Sequence, residues 1–232
     1  MARYLSVTKI QLKRLIITID GPAGAGKTTV SRILADRLGY RYIDTGALYR
    51  GIALEAISAG LSHDDDMGLE KLCSKLKMKF VPGEKDLRLL SNDSDITDQI
   101  RTPEITMFAS AVSARTVVRR FLLDLQRDMG RKKGVVFEGR DMGSVVFPDA
   151  DVKFYLDASC KVRALRRYKE IRSTTSQTLE EVEKDIKRRD ENDSTRDLAP
   201  LKPAEDAIIL DSTDISAEGV VNRMLSYIGK GH

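Results

Sequence analysis

The amino-acid sequence predicts a three-layer α/β fold, in which helices cover both faces of a parallel β-sheet. Three observations carry this prediction. Short apolar runs typical of buried strands alternate with longer amphipathic stretches typical of helices. The first apolar run, at 15–20, leads directly into a glycine-rich turn and a helical pattern at 28–38. At 232 residues and 41% hydrophobic composition, the chain is long enough to bury a substantial core.

The other strands and helices of this fold are expected at regular intervals. A short strand at 40–44 follows the first helix, and the next helix, at 47–60, ends at a glycine cap. The amphipathic stretch at 105–129 predicts one long helix or a pair of helices. Three further strands are expected at 134–138, 152–156 and 207–210. Three further helices are expected at 162–171, 179–190 and 217–228.

Residues 63–100 interrupt the alternation of strands and helices. This block begins with an acidic run and a helix at 69–76, and then changes to short strand-like segments around the Pro82-Gly83 turn. The segments predict antiparallel strands at 78–81, 87–90 and 94–96. We therefore expect 63–100 to be a small subdomain inserted into a larger core.

The expected core consists of residues 15–62 and 101–232. Residues 1–14 are basic but carry no continuous apolar run, so they are expected to be a leader before the first strand rather than a secretory signal. An amphipathic targeting or partner helix is the alternative for this segment.

Composition narrows the possible partners of the protein. The formal net charge is +4, and basic and acidic side chains are interspersed along the chain. This mixture favours small phosphate-bearing ligands over nucleic acid. The two cysteines, Cys73 and Cys160, lie far apart, and no apolar run reaches the length of a membrane span. We expect a monomeric protein of the cytoplasm that binds neither nucleic acid nor membranes.

A phosphate-binding loop is predicted at 21–28, where Gly-Pro-Ala-Gly-Ala-Gly-Lys-Thr fits the pattern G-x-x-x-x-G-K-S/T. The strand before it and the helix after it would direct backbone N–H groups and a helix N-terminus at an anion. Lys27 would reach the β- and γ-phosphates of a nucleotide, and the Thr28 hydroxyl would bind Mg²⁺. The expected ATP-binding residues are Gly21, Pro22, Ala23, Gly24, Ala25, Gly26, Lys27, Thr28 and Thr29.

The reaction depends on the groups that face the transferred phosphate, which the loop alone does not define. Residues 44–50, Asp-Thr-Gly-Ala-Leu-Tyr-Arg, combine a hydroxyl, a helix N-terminus and the Arg50 guanidinium around one anion. The alternative is an ordinary helix cap at Thr45 followed by a solvated arginine.

A second candidate segment follows the apolar strand at 134–138. Glu138, the last residue of that strand, is placed like the acids that steer Mg²⁺ or its waters in phosphate-loop proteins. Ligands bind at the strand ends of open α/β sheets, so Arg140 and Asp141 are expected in the same crevice. A salt-bridged surface turn is the alternative.

Two basic groups complete the candidate site. The helices at 162–171 and 179–190 and the residues just beyond carry Arg163, Arg166, Arg167, Arg188, Arg189 and Arg196. A pair of helices with this charge would close over transferring phosphates, the alternative being a solvated hairpin. Ser110 and Arg119 lie nine residues apart, so on one helix they would point to similar sides.

These segments together resemble the bacterial-type cytidylate kinases, a family of nucleoside monophosphate kinases among the P-loop proteins. The resemblance runs from about residue 15 to the C-terminus, and its most specific part is Gly-Arg-Asp-Met-Gly at 139–143 followed by Val-Phe-Pro-Asp-Ala at 146–150. It implies a P-loop fold in which 63–100 binds the nucleoside monophosphate and about 160–196 forms a short helical lid. It also implies transfer of the γ-phosphoryl group of ATP to CMP, and to dCMP, with Mg²⁺ as cofactor.

The resemblance further implies roles for individual residues. The cytosine base would be read by Ser110, Arg119 and Asp141, and the ribose would contact Asp193. The phosphate of CMP would be held by Arg50, Arg140 and Arg189, and Thr45 and Tyr49 are expected among the CMP-binding residues. The residues implied to act in catalysis are Lys27, Arg166, Arg167 and Arg189, with Arg166 and Arg167 as lid arginines over the ATP phosphates.

Two positions depart from the family pattern. Ala23 stands where many relatives have serine, so a hydroxyl contact in the loop is missing, and Glu138 stands where some relatives have aspartate. Two other classes of protein are weighed against this reading. One is a P-loop kinase for another small molecule, such as shikimate or a coenzyme precursor. The other is a nucleotide-dependent switch, which would call for a guanine-reading motif such as Asn-Lys-x-Asp that the sequence lacks.

Overall fold

A computed structural model describes residues 14–84, 86–172 and 176–231 of the chain. The strands of this part, in chain order, are β1 (Ile16–Asp20), β2 (Arg41–Asp44), β3 (Met78–Pro82), β4 (Leu87–Ser91), β5 (Ser94–Asp95), β6 (Val135–Glu138), β7 (Val152–Asp157) and β8 (Ile208–Asp211). The α-helices are α1 (Lys27–Leu38), α2 (Thr45–Ser58), α3 (Asp66–Cys73), α4 (Pro103–Val112), α5 (Thr116–Gly130), α6 (Cys160–Ile171), α7 (Leu179–Thr195) and α8 (Ala217–Gly231). Except for its last residue, the leader expected at 1–14 lies outside the described residues.

The central sheet has five parallel strands in the order β2-β6-β1-β7-β8. Both of its faces are covered, as alternate residues of β6 demonstrate. Val136 packs into a core with α1 and α8, whereas Val135 and Phe137 pack on the opposite face with side chains of α5. The short strands are apolar because they are buried on both faces. The predicted three-layer α/β fold is therefore confirmed.

The register of the sheet brings the carboxyl ends of its central strands to one edge. Glu138 at the end of β6 lies beside Ile19 of β1 and beside Asp44 of β2. Asp20, the last residue of β1, lies beside Tyr155 of β7. Every loop that the sequence analysis singled out after a strand therefore opens onto the same edge, where open α/β sheets bind their ligands.

The amphipathic stretch at 105–129 is a pair of helices. Thr102 caps α4 by accepting a hydrogen bond from the N–H of Ile105 at 3.2 Å, and α4 ends before Ser113. A second helix, α5, begins at Thr116. Ser110 lies on α4 and Arg119 lies on α5, so the argument that places both on one side of a single helix is wrong.

The predicted antiparallel strands at 63–100 form a three-stranded sheet, β3-β4-β5. Its tightest turn is at Asn92 and Asp93, whose φ angles of 46° and 68° suit a two-residue hairpin. Met78 and Leu89 are buried in a core that also contains Ile52 of α2 and Leu122 of α5. The block at 63–100 thus shares its apolar core with helices on either side of it in the chain.

The helices α6 and α7 form a hairpin that precedes β8 and α8 in the chain. Thr178 and Glu181 make a reciprocal capping box, which explains why α7 begins where it does. The hairpin has a small core of its own, formed by Ala164, Val182 and Ile186. Continuing to Thr195, α7 runs past the predicted end at 190 and carries further polar side chains toward the sheet edge.

Gly39 and Gly21 both have positive φ, but only Gly21 also lies too close to other backbone to carry a Cβ. A Cβ on Gly39 (φ +65°) would meet no atom within 4 Å, whereas a Cβ on Gly21 (φ +146°) would lie 2.0 Å from the carbonyl oxygen of Leu156. We expect Gly39→Ala to lower the free energy of unfolding by about 1–2 kcal/mol, the cost of the left-handed conformation. Gly21→Ala should cost about 4 kcal/mol or more, because a strand backbone would have to move. Urea unfolding of both variants measures this, and equal losses would contradict the close approach at Gly21.

Candidate active site

The loop at 21–26 is shaped by three glycines, two of which, Gly21 and Gly24, lie too close to other backbone to carry a Cβ. Gly21, Gly24 and Gly26 all have positive φ, and a Cβ on Gly24 would lie 2.8 Å from the carbonyl oxygen of Arg163. The loop leads into the N-terminus of α1, where Thr28 and Thr29 are exposed. Backbone N–H groups at such a helix start attract anions.

Lys27 is a buried cation at the centre of this loop. Its side chain is only 4% exposed, and its Nζ donates a hydrogen bond to the carbonyl oxygen of Pro22 at 2.7 Å. Burial, followed by the positive charge of Arg140, lowers the pKa of Lys27 to about 7. The ammonium therefore lacks sufficient negative charge around it, which is what a phosphate would supply.

Two arginines of α6 donate hydrogen bonds to backbone carbonyl groups of the loop. Arg163 is buried and donates to the carbonyl oxygens of Ala158 at 2.8 Å and Ala23 at 3.1 Å. Arg166 donates to the carbonyl oxygen of Ala25 at 3.3 Å and to that of Ser212 at 2.6 Å. Arg163 thus bonds to the outside of the loop instead of facing the space above it, and Arg166 reaches the loop from α6. Arg167 is half-exposed and pairs with Glu170 one turn later on α6, at 3.1 Å.

The carboxylate of Glu138, at the end of β6, contacts Thr28 at the start of α1, although the two residues are 110 apart in the sequence. Its Oε1 accepts a hydrogen bond from the Thr28 hydroxyl at 3.0 Å, and its Oε2 accepts one from the Tyr42 hydroxyl at 2.6 Å. Its backbone carbonyl accepts a third, from the Thr45 hydroxyl at 2.6 Å. Burial, together with the charge of Asp44, raises the pKa of Glu138.

These oxygens suit a Mg²⁺ ion that also keeps waters and substrate phosphates as ligands. Mg²⁺ prefers oxygen ligands and is held by one or two protein groups together with waters and substrate phosphates. The Thr28 hydroxyl and the Glu138 carboxylate meet this requirement. No group of three or more His, Cys, Asp or Glu side chains within the described ranges could hold a metal ion. The donor set therefore fits a metal that arrives with a nucleotide.

Across the sheet edge from the loop lies a cluster of arginines. Arg50 pairs with Asp44 at 2.7 Å, and Arg140 pairs with Asp193 at 3.2 Å. Burial and then the charge of Arg140 lower the pKa of Arg189 to about 10. Among the described residues, the buried Nε atoms of Arg50 and Arg189 have no hydrogen-bond partner. Mutual repulsion and unused donors in one place are typical of an anion site.

Asp193 and Thr45 occupy positions that the sequence did not suggest. Asp193 is buried and accepts from Arg140, with Arg189 at 3.9 Å and Arg196 at 4.0 Å, so it holds three guanidiniums together. Thr45 does not cap α2: Asp44 does, by accepting from the N–H of Ala47 at 3.3 Å. The alternative weighed for 44–50, a helix cap at Thr45, is therefore off by one residue.

A second buried ion pair lies beyond the arginine cluster, between Arg119 and Asp141. Their side chains are 13% and 4% exposed, and Arg119 also donates to the carbonyl oxygen of Ser113 at 3.1 Å. Asp141 is close enough to Tyr49 that its charge adds to the effect of burial and raises the tyrosine pKa to about 12. The buried Ser110 hydroxyl has no hydrogen-bond partner within the part of the chain described.

A cavity of about 920 Å³ separates the antiparallel sheet from the edge strand β2. Tyr42 and Asp44 line it from the core, and Phe80 and Leu89 line it from the antiparallel sheet. Arg101 also borders it, near Asp44. Its volume falls in the range of small-molecule sites, and its position next to the Arg50–Asp44 pair joins it to the arginine cluster.

Three residues at this edge were missed by the sequence analysis. Asp20 accepts from the N–H groups of Met142 and Gly143 at 2.9 and 2.8 Å, and its position as an acid at a strand end was a usable signal. Arg196 donates to the Ser113 hydroxyl at 3.0 Å and was counted only among the general positive charge. Tyr42 contacts Glu138 across 96 residues of sequence, and no local pattern could have indicated that contact.

A buried lysine in a glycine-rich loop and a separate cluster of arginines, both short of negative charge, are typical of a P-loop kinase of small molecules. The family model described as cytidylate kinase matches residues 17–230. The chain belongs to the cytidylate kinase family.

Several relatives carry this similarity over nearly their whole length. The chain is 52% identical to the "Cytidylate kinase" of Geobacter sulfurreducens over 92% of each chain. It is 45% identical to that of Pasteurella multocida, over 93% of this chain and 95% of the relative. A crystal structure of an uncharacterized protein from Eubacterium ventriosum aligns with a TM-score of 0.52 at 12% identity, over 94% of this chain and 99% of the other. That likeness is one of fold alone.

The lowered pKa of Lys27 predicts a proton linkage. At about pH 8.5 much of Lys27 is neutral before a ligand binds. Bound phosphates favour the charged form of Lys27, so ATP binding should take up a proton. The apparent Kd for ATP should therefore rise as the pH increases above about 7. Calorimetry in two buffers of different ionisation enthalpy measures the uptake. Lys27→Ala should lack it, and an uptake of similar size in that variant would assign it to another group.

Proposed function

We propose that this protein transfers the γ-phosphoryl group of ATP to the 5′-phosphate of CMP, and of dCMP, giving ADP and CDP or dCDP. The observation that carries the proposal is the arginine cluster facing Lys27, whose unused buried donors await a second phosphate group. A P-loop switch would not need this second anion site. The names of the relatives supply the identity of the acceptor.

The donor phosphates would lie in the loop at 21–29. Lys27 and the backbone N–H groups would bind them, with Arg167 approaching from α6 and Arg166 keeping the loop in shape from the same helix. Thr28 and Glu138 would hold Mg²⁺, directly or through water, and the bound ion would neutralise charge on the β- and γ-phosphates.

The acceptor would lie with its phosphate among Arg50, Arg140 and Arg189. Thr45 and Tyr49 would also contact CMP, and Asp193, which accepts from Arg140 and lies 3.9 Å from Arg189, would contact the ribose. The attacking atom is already an anionic phosphate oxygen, so no side chain is required as a strong base. Alignment and neutralisation of charge suffice for the transfer.

We further propose the domain roles that the sequence suggested. Residues 63–100 would move over CMP, while about 160–196 would close over ATP, which excludes water and limits ATP hydrolysis. Both cysteines are unpaired thiols, which supports a reducing compartment such as the cytoplasm, and we propose a monomer. No helix of the described segments is long and apolar enough to cross a membrane.

Substrate choice is the direct test of this function. Release of ADP, followed by a coupled assay, should be at least about tenfold more efficient with CMP and dCMP than with UMP, AMP or shikimate. Lys27→Ala is the control, because it removes the charge over the phosphates and should abolish release with every acceptor. Equal use of AMP or shikimate would favour a different small-molecule kinase.

Base recognition is tested at Asp141. Cytosine offers an amine donor beside two acceptors, which match a carboxylate and a guanidinium, whereas uracil reverses the donor and one acceptor. An unpaired buried group costs about 1–3 kcal/mol, so kcat/KM for CMP should exceed that for UMP by about tenfold to a hundredfold. Asp141→Ala should narrow this ratio and leave ATP affinity unchanged. If the ratio stays the same, Asp141 merely braces Arg119.

A further inference from the structure

The carboxylate of Glu138 is held by hydrogen bonds at both of its oxygens. The Thr28 hydroxyl bonds to Oε1, and the Tyr42 hydroxyl bonds to Oε2. These two donors come from different elements, since Thr28 begins α1 and Tyr42 lies in the middle of β2. Two bonds at two oxygens fix the plane of the carboxylate, which the flexible side chain of a glutamate does not do by itself.

Tyr42 is itself held firmly in the fold. Strand β2 pairs with β6 so that Tyr42 lies beside Val136, two residues before Glu138. Its ring packs against the core that contains α1 and α8, and the guanidinium of Arg32 lies 5.6 Å from the ring centroid. Arg32 pairs in turn with Asp86 at 3.1 Å. These contacts hold the Tyr42 hydroxyl in a defined position, where it donates a hydrogen bond to the Glu138 carboxylate.

We infer that Tyr42 is a positioning residue that directs the Glu138 carboxylate at Thr28 and thereby sets how tightly the site binds a metal–nucleotide complex. The inference rests on the proposed function of the loop. A glutamate has one more methylene than an aspartate and therefore more side-chain freedom, which the bond to Tyr42 restricts.

The metal affinity of the nucleotide complex tests this inference more directly than activity does. Groups that orient a metal ligand through a hydrogen bond contribute about ten- to a hundredfold in affinity. We expect Tyr42→Phe to weaken Mn²⁺ binding to the ADP complex by about that factor, as measured from the electron paramagnetic resonance of unbound Mn²⁺. Binding of ADP in EDTA, measured by calorimetry, should not change, because the phosphate contacts do not involve Tyr42.

A matched control is available on the same stretch of chain. The Tyr40 hydroxyl accepts a hydrogen bond from the N–H of Leu15 at 3.1 Å, away from Glu138. Tyr40→Phe removes a hydroxyl with a role in the fold, so it should lower the melting temperature and leave Mn²⁺ affinity unchanged. If Tyr40→Phe and Tyr42→Phe weaken Mn²⁺ binding equally, the effect is a general loss of structure and the inference is wrong.

A double-mutant cycle identifies the residue through which Tyr42 acts. Glu138→Asp shortens the side chain and removes its reach to the phenol, so Tyr42→Phe should have no further effect on Mn²⁺ affinity in that background. The same fold-change in both backgrounds would overturn the inference, because the hydroxyl would then act independently of Glu138. If the unaltered protein fails to bind Mn²⁺ with ADP at all, the proposed function fails instead.

Discussion

Positive charge buried at one edge of a parallel sheet is the constraint on which the rest of this structure depends. Lys27 and Arg189 both have lowered pKa values because burial and neighbouring cations disfavour their charged forms. Removing such charges from water costs free energy that nearby carboxylates repay only in part. Glu138 and Asp20 supply that part for Lys27, and Asp193 supplies it for Arg189. The remaining cost is not offset by the protein itself, which is typical of a site for a phosphate-bearing ligand.

The same constraint explains how the hairpin of α6 and α7 is joined to the loop at 21–26. Arg163 links the loop to α7 through Asp190, while Arg166 bonds to Ala25 and Ser212. The loop is therefore joined by Arg163 to α7, the helix that carries Arg189 and Asp193. The phosphate loop and the arginine cluster are therefore supported by the same pair of helices, an arrangement that would help to align two phosphate groups.

Local sequence patterns predicted the strands and helices of this fold, but they did not define every boundary between consecutive elements. The strand and helix positions followed from apolar periodicity, and the loop at 21–28 followed from its glycines. The break between α4 and α5 was left open because residues 113–115 carry no proline or glycine to mark it. The alternative of a cap at Thr45 was off by one residue because aspartate and threonine are both residue types found at helix N-caps. Only the fold determines which of the two side chains faces the helix start.

The sequence by itself determined the fold class, the phosphate loop and the family, because each depends on residues close together in the chain. The tertiary structure alone decided which charges are paired. It placed Tyr42 against Glu138, made Asp193 the centre of three arginines, and turned Arg163 toward the back of the loop. Those contacts join residues far apart in sequence, and they follow from the order of strands in the sheet. Strand order is set by packing over the whole core, so a local pattern cannot reveal it.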